Sequence, residues 1–253
     1  SRVHPGQFYA LPQSPQQLKQ LLMVAGVERY FQIARCFRDE DQRGDRQPEF
    51  TQLDMEMSFI EREDIMSLAE ELFTKLVAEV VPHKRLLASP WPRLTYQEAM
   101  ERFGKDNPDL RYGMELKDVS DLASHSGYKA FESMVAEGGH VRGFNAKGLG
   151  DYSRKQIDEL TEFVHKFGAK GLVYLAITPA GDQRSSFAKF LPENVLQTLL
   201  ARLEAQPGDL LLFVADRPAV VFESLGRLRV WLAERLGLAD PNILAFCWVI
   251  DFP

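Results

Sequence analysis

Residues 33–54 read IARCFRDEDQRGDRQPEFTQLD, and nine of the fifteen residues from Arg35 to Glu49 are ionisable at neutral pH. Apolar residues alternate with other residues on both sides of this charged stretch, which is typical of two strands joined by a turn. They are Phe31, Ile33 and Phe37 before it, and Leu53, Met55, Met57 and Phe59 after it. The pattern predicts an antiparallel hairpin with one buried face.

Position parity predicts which side chains of this hairpin share a face. Successive side chains of a strand point to opposite faces, and the apolar residues fall mostly on odd positions. Arg38, Gln52, Asp54 and Glu56 fall on even positions. We therefore expect the odd positions to be buried and these four polar residues to line the opposite face, where an arginine and carboxylates would suit a polar ligand.

A salt-bridged surface hairpin is the alternative interpretation, and charge density alone favours it because charge runs are usually solvated. The residue order favours a binding site instead. The segments FRDE at residues 37–40 and RQPEFTQLD at residues 46–54 agree in order and spacing with a known pattern. They resemble motif 2 of the class II aminoacyl-tRNA synthetases, in its aspartate-specific form.

Composition bounds the class of protein. The chain has 253 residues, enough for one large domain or two modest ones. Its 45% hydrophobic and 26% charged content is ordinary for a soluble globular protein. A net charge of −6 argues against general electrostatic binding of nucleic acid, so an RNA partner would need local basic groups.

The cysteines and histidines indicate a reducing compartment and no structural zinc. Cys36 and Cys247 lie far apart in apolar runs, and we expect buried, reduced thiols. The five histidines show no zinc-ligand spacing. No apolar run approaches the roughly 18 residues that cross a membrane, and no leader segment opens the chain. The expectation is a cytoplasmic protein that does not enter the membrane.

Several further elements can be placed by their end signals. Residues 12–26 predict one complete helix, with Ser14 as its cap and Gly26 at its end, and with Leu18, Leu21, Leu22 and Ala25 on its packing side. Residues 61–81 predict a long amphipathic helix. Thr95 and Ser153 each open a capping box. From about residue 113, strands and helices alternate, which favours a separate α/β module.

The resemblance covers essentially the whole chain. FYALPQSPQQLKQ at residues 8–20 is similar to the amino-acid-binding segment of aspartyl-tRNA synthetases. DNPDLR at residues 106–111 resembles the DKPDLR run of the bacterial enzymes, with Asn107 in place of the usual lysine. RKQIDE at 154–159 and GAKGLVY at 168–174 resemble their insertion domain, and WVIDFP at 248–253 resembles the return to the catalytic domain.

The resemblance to bacterial-type aspartyl-tRNA synthetases implies an α+β fold. It would be a class II antiparallel sheet with flanking helices, interrupted by an inserted α/β module. The implied division is catalytic core at 1–112, insertion at 113–240 and return to the core at 241–253. The implied reaction uses ATP and Mg²⁺ to convert L-aspartate to aspartyl-adenylate, and then loads tRNA(Asp), with tRNA(Asn) left open. A homodimer is implied for the whole enzyme.

The resemblance also implies roles for individual residues. Arg38 would be the catalytic arginine that bridges the α-phosphate and the substrate carboxylate. The ATP-binding set would be Arg38, Asp39, Glu40, Gln47 and Phe50. The aspartate-binding set would be Gln16, Lys19, Arg38 and Asp54, with Lys19 reading the side-chain carboxylate. The arginines expected to contact the tRNA acceptor end are Arg43 and Arg46.

The alternatives differ in what they do with the same fold. Motif 1, motif 3 and the magnesium-binding carboxylates of the family have no counterpart in these 253 residues, so we expect the chain alone not to activate aspartate. A non-catalytic tRNA-binding or regulatory paralogue is one alternative, and Arg38, Glu40, Gln47 and Phe50 argue against it. A relative specific for asparagine or lysine is another, and Lys19 argues against it because it favours an anionic substrate side chain.

Overall fold

A computed structural model describes residues 4–8, 13–39 and 43–253 of the chain. Within it the chain divides into two compact units, Ser1–Phe73 and Thr74–Pro253. Both units combine helices with antiparallel strand pairs, so the predicted α+β class is confirmed.

The first unit is built on the predicted hairpin. Its elements are α1 (Gln16–Val24), β1 (Arg29–Phe37), β2 (Glu49–Met57) and the beginning of α2 (Arg62–Val80). The two strands pair antiparallel, from Arg29 opposite Met57 to Phe37 opposite Glu49. The antiparallel hairpin and the long helix after it are therefore confirmed.

The predicted burial of the hairpin faces was wrong. Phe31 and Ile33 at odd positions are 73% and 65% exposed, whereas Cys36 at an even position is fully buried. The physical reason is that α1 packs against both strands and covers part of the even face, where Lys19 contacts Asp54. The odd face borders an open apolar groove of about 920 Å³ whose other wall is α2. Its apolar lining is Phe31, Leu53, Met55, Met57, Phe59, Ile60, Leu68 and Leu72.

Helix α1 also differs from its prediction. Its N-cap is Pro15 and makes no side-chain capping bond, so the predicted Ser14 cap is wrong. Gly26, at φ 90°, does follow the end of the helix as expected. The predicted packing side was wrong as well: Leu18 and Leu21 are exposed, and Lys19 is the buried residue of the helix. The reason is electrostatic, because carboxylates of β2 neutralise the buried ammonium.

The second unit contains a five-stranded sheet with helices on both faces. The sheet has the order β5-β6-β9-β7-β8, and every neighbouring pair in it is antiparallel. Its strands are β5 (Lys117–Asp118), β6 (His140–Ala146), β7 (Val173–Ile177), β8 (Gln183–Ser185) and β9 (Leu210–Asp216). The predicted alternation of helices and strands is present in this unit, and its sheet is antiparallel, a direction that the alternation did not specify.

The remaining elements of this unit surround the sheet or pair with each other. The helices are α3 (Tyr96–Phe103), α4 (Ser120–Ala123), α5 (Lys129–Ala136), α6 (Arg154–His165), α7 (Glu193–Arg202) and α8 (Pro218–Leu236), with a 3-10 turn at Ala188–Phe190. Two short parallel pairs join β3 (Arg85–Leu86) to β10 (Ile243–Leu244) and β4 (Arg93–Thr95) to β11 (Trp248–Ile250). The capping boxes at Thr95 and Ser153 are both formed, as predicted.

The core of the second unit lies on both sides of β9. Leu210, Leu212 and Val214 pack in one apolar cluster with residues of α6 and α8. Leu211 and Phe213 point the other way and pack with residues of α5 and α7. Because both faces of the strand are buried, its sequence is a continuous apolar run rather than an alternating one.

Helices α3 and α8 of this unit meet at a close backbone contact. A Cβ atom at Gly226 of α8 would lie 2.6 Å from the carbonyl oxygen of Gly104. Alanine is intrinsically favoured over glycine inside a helix by about 1 kcal/mol, but overpacking against backbone costs about 1–3 kcal/mol. We expect Gly226→Ala to lower the Tm by several degrees in a thermal melt followed by circular dichroism.

Gly171→Ala is the matched control for this prediction. Among the described residues no heavy atom lies within 4 Å of a Cβ at Gly171, and its φ is not positive. The control is expected to melt within about a degree of the parent chain. A Gly226→Ala chain that melts at or above the parent Tm would contradict the close contact.

Candidate active site

A buried ammonium with two carboxylate partners lies on the even face of the hairpin. Lys19 is 7% exposed, and its Nζ lies 3.0 Å from Asp54 Oδ1 and 3.0 Å from Glu56 Oε2. Asp54 and Glu56 are two residues apart on β2 and therefore project from the same side of the strand. The structure thus brings together Lys19 and Asp54, two residues predicted to bind aspartate, and adds Glu56.

This cluster keeps Lys19 protonated. Burial by itself lowers the pKa of the Lys19 ammonium, but the hydrogen bonds to Asp54 and Glu56 and their negative charges outweigh it, so the pKa is raised. The resulting stabilisation is present at neutral pH and is lost only as the pH rises through the raised pKa. The cluster carries one positive and two negative charges. Asp54 Oδ2 is buried and has no hydrogen-bond partner among the described residues.

A second cavity lies where the charged loop leaves the hairpin. Its volume is about 360 Å³, and it is lined by Arg38, Asp45, Arg46, Gln47 and Phe50. The guanidinium of Arg38 lies over the Phe50 ring, 5.1 Å from its centroid. The Arg38 backbone N–H donates to the Pro48 carbonyl at 2.8 Å, which closes the end of the hairpin. An apolar ring, an amide and arginines together suit a planar base that carries phosphate.

One strand face connects the two centres. Phe50, Gln52, Asp54 and Glu56 occupy successive even positions of β2. At about 3.4 Å per residue, Phe50 and Asp54 are separated by about 14 Å along the strand. Gln52 lies between them and accepts a hydrogen bond from Cys36 Sγ at 3.2 Å. The even face can therefore hold a nucleotide at one end and a small zwitterion at the other.

Most of the other predicted site residues lie on α1, just after β1 or in the loop of the hairpin. Gln16 is exposed on the first turn of α1, and Asp39 is exposed just after β1. Arg43 is exposed, and its carbonyl accepts from the Arg46 N–H at 3.3 Å in the loop turn. Glu40 lies outside the described residues. Arg46, which was predicted to contact tRNA, lines the Arg38 cavity.

The sequence interpretation missed two residues of these centres. Glu56 was grouped with the polar face by parity but was given no role, although its two-residue spacing already placed it on the same strand face as Asp54. Asp45 lines the Arg38 cavity. It stood in the sequence as one more charge of the loop, and no pattern distinguished it.

The described part of the chain has neither a metal-binding cluster nor a membrane-spanning helix. No group of three or more histidine, cysteine, aspartate or glutamate side chains there could hold a metal ion. None of the helices described is both long enough and apolar enough to cross a membrane. Both cysteines are free, with Cys36 buried as predicted and Cys247 half-buried. Burial raises the pKa of the Cys247 thiol.

Comparison with known proteins identifies the family. Residues 1–253 match the family model of tRNA synthetases class II (D, K and N). The whole chain is 58% identical to an aspartate–tRNA(Asp/Asn) ligase of Symbiobacterium thermophilum and 59% identical to one of Rubrobacter xylanophilus. A solved aspartyl tRNA synthetase from Entamoeba histolytica is 17% identical over 96% of this chain and 54% of that one, with a TM-score of 0.29 that supports no conclusion.

The chain spans 42% of the length of each of these two curated relatives. The family match, by contrast, extends over every residue of the chain, including the hairpin that carries both centres. The chain therefore belongs to the class II tRNA synthetases of the D, K and N group.

Proposed function

We propose that this chain supplies the ATP- and aspartate-binding face of an aspartate–tRNA ligase. The observation that carries the proposal is the even face of β2, which has the Arg38 cavity at one end and the Lys19 cluster at the other. The names of the relatives support the same assignment, since they are called aspartate–tRNA(Asp/Asn) ligases. Because the chain covers 42% of their length, the activity belongs to a polypeptide of their length that contains these residues.

The Lys19 cluster suits the amino acid. An ammonium has three N–H donors, and Lys19 uses two of them on Asp54 and Glu56. The third can donate to the side-chain carboxylate of L-aspartate. Asp54, with Oδ2 lacking a partner among the described residues, can accept from the α-ammonium of the same molecule. Gln16, three residues before Lys19 on α1, is proposed as a further contact to the amino acid.

The Arg38 cavity suits ATP. Phe50 offers a ring for stacking the adenine, and Gln47 offers an amide to its edge. Asp39 and Glu40 are proposed on the adenosine side because they follow Arg38 directly in the sequence. Arg38 would bind the α-phosphate, and its planar fork can contact a phosphate oxygen and the aspartate α-carboxylate together.

The proposed contacts give each residue a task in the first half-reaction. The aspartate α-carboxylate attacks the α-phosphate and displaces pyrophosphate, and negative charge grows on the phosphate oxygens as this happens. A positioned guanidinium stabilises that charge more in the transition state than in the ground state. Lys19 and Asp54 hold the other end of the amino acid, so that its α-carboxylate is directed toward Arg38.

The remaining partners are proposed on the family resemblance. Arg43 and Arg46 in the loop would contact the tRNA acceptor end, and the relatives' names support both tRNA(Asp) and tRNA(Asn). A homodimer, Mg²⁺ and an insertion formed by residues 113–240, between core segments 1–112 and 241–253, are proposed in the same way. The described residues offer no metal-binding group, so we assign no ligand to Mg²⁺.

ATP–pyrophosphate exchange tests the proposal. The assay would use a polypeptide of the relatives' length that contains these 253 residues, with L-aspartate, L-asparagine and L-lysine supplied separately. We expect exchange that depends on L-aspartate. Exchange with L-asparagine, which is neutral, or L-lysine, which is cationic, should be weaker by about 100-fold or more, since a site built to pair with a polar group strongly rejects ligands that leave its own groups unpaired. Equal exchange with asparagine or lysine, or none with any amino acid, would refute it.

A further inference from the structure

We infer that the second unit carries a nucleotide-binding site of its own, at the C-terminal ends of β6 and α8. The site is a cavity of about 390 Å³, a volume within the range of small-molecule pockets. All of its lining residues belong to the second unit, and none of them has a role in the proposed function. They are Arg111, Tyr112, Gly113, Met114, Asn145, Ala146, Lys147, Leu236 and Leu238. The inference goes beyond the proposed function and does not depend on it.

A buried hydrogen-bond acceptor on β6 borders this cavity. Asn145 is 8% exposed, and its Nδ2 donates to the carbonyls of Leu203 and Glu204 and, at 2.8 Å, to Asp209 Oδ2. These acceptors fix the orientation of the amide. Its Oδ1 is also buried and has no hydrogen-bond partner among the described residues. Because an unpaired buried acceptor is costly, an N–H or O–H group of a ligand held against Asn145 would be favoured.

Two cationic side chains make the cavity suitable for a phosphate. Lys147 is exposed directly after β6 and has no ion-pair partner in the described part of the chain. Arg111 donates from Nε and Nη2 to Asp109 and from Nη1 to the Asp240 carbonyl, which leaves two of its five N–H groups. Among the described residues that line the cavity, none is acidic. An ammonium and free guanidinium N–H groups together can bind a phosphate.

The rest of the wall suits a planar base. The Arg229 guanidinium lies over one face of the Tyr112 ring, 4.4 Å from its centroid, so the cavity borders the remainder of that ring. Met114, Leu236 and Leu238 add apolar surface around it. Bases stack on aromatic rings, and an amine of the base or a ribose hydroxyl can donate to the unpaired amide oxygen. A nucleotide combines the base, the donor and the phosphate, and it is therefore the ligand class that the cavity fits.

A smaller neighbouring cavity differs in charge. Its volume is about 240 Å³, and it shares Met114, Asn145 and Lys147 with the larger one. It is also lined by the carboxylates of Glu115 and Glu204, which make it the less suitable of the two for a phosphate. The nucleotide is therefore assigned to the larger cavity.

Photolabelling with 8-azidoadenosine 5′-monophosphate tests the inference, because the labelled peptides identify the site. A polypeptide of the relatives' length is irradiated with the probe, digested and analysed by mass spectrometry. We expect label in peptides that contain residues 111–114, 145–147 or 236–238, with half-saturation at about 10–100 µM and protection by excess AMP. Label in the hairpin is a separate readout, because it reports the Arg38 cavity of the proposed function.

Two charge changes at the cavity are the informative variants. Lys147→Glu replaces the ammonium proposed to bind the phosphate, and Leu238→Glu adds a carboxylate at the rim, where the side chain is 42% exposed. Each is expected to reduce the label in the second unit about tenfold or more, with the label in the hairpin within about twofold of the parent. Lys170→Glu is the matched control, since Lys170 is an exposed lysine of the same unit outside the cavity lining. Its labelling should equal that of the parent.

Competition separates the two sources of a nucleotide. If the single-stranded trinucleotide ApApA protects the second unit at a lower concentration than AMP does, the ligand is a nucleotide of an RNA chain; if AMP protects at the lower concentration, it is a free nucleotide. The inference is overturned if AMP protects no label in the second unit, if inorganic phosphate protects it as well as AMP does, or if Lys147→Glu and Leu238→Glu are labelled like the parent. Loss of the hairpin label alone would count against the proposed function and not against this site.

Discussion

Replacing Lys19 with alanine is expected to raise the KM for L-aspartate about 100-fold, in a polypeptide of the relatives' length assayed by pyrophosphate exchange. A hydrogen bond to a charged group contributes about 1.5–3 kcal/mol, and the upper part of that range corresponds to about 100-fold. The expected loss is large because Lys19 is 7% exposed, so water cannot easily replace its ammonium. The substitution also leaves Asp54 and Glu56 facing each other without a counter-ion.

The same substitution affects stability, and the design must separate the two effects. Removing one partner of a buried ion pair costs about 3 kcal/mol or more, so the Tm of each variant is measured first. Lys19→Met retains most of the buried stem and should lose aspartate binding equally. The KM for ATP reports whether the hairpin is intact, and it should stay near the parent value.

Gln20→Ala, at the exposed neighbouring position of α1, is the control for the helix. An unchanged KM for aspartate in Lys19→Ala would remove Lys19 from amino-acid recognition.

The hairpin shows what sequence alternation can and cannot establish. Alternation correctly grouped Gln52, Asp54 and Glu56 on one face of β2, because the side-chain period of a strand is a local property. It could not establish which face is covered, because that depends on where α1 packs. The apolar residues Phe31 and Ile33 predicted that the odd face is buried, whereas the ion pairs of Lys19 hold α1 against the even face. The period-two pattern of a strand carries no information about an ion pair with a residue that is distant in sequence.

The second unit shows a related limit. The capping boxes at Thr95 and Ser153 were predictable because their donors and acceptors lie within three residues of one another. The direction of strand pairing in the sheet was not predictable, since β6 pairs with β9 across about seventy residues of sequence. The site residues were placed by their resemblance to a known motif. The motif assigns no role to Glu56 or Asp45. Alternation predicted the strand face of Glu56, and the structure added its contact with Lys19 and the position of Asp45 in the Arg38 cavity.

Arg38→Lys is expected to lower kcat for aspartate-dependent exchange about 100- to 1,000-fold, with smaller changes in the KM for ATP and for L-aspartate. Removing one preorganised donor at developing negative charge costs about 2.7–4 kcal/mol in the transition state. Lysine keeps the charge but loses the planar fork that could contact phosphate and carboxylate together. It also loses the stacking over Phe50, where the Arg38 guanidinium lies 5.1 Å from the ring centroid. Rapid-quench measurement of adenylate formation in a single turnover would assign the loss to the chemical step.

Arg35→Lys is the matched control for Arg38→Lys. Arg35 lies in the same strand region, but its guanidinium pairs with Glu49 on the odd face, and the Arg35 side chain is 74% exposed. Its replacement should leave the single-turnover rate within about twofold of the parent, because exposed ion pairs contribute about 1 kcal/mol or less. If Arg38→Lys slows the chemical step no more than Arg35→Lys does, the charge is stabilised by another group and Arg38 only helps to retain ATP. If the single-turnover rate falls in Arg38→Lys but not in Arg35→Lys, the loss is specific to the even face. The transition-state contact is then assigned to Arg38 at the end of the hairpin.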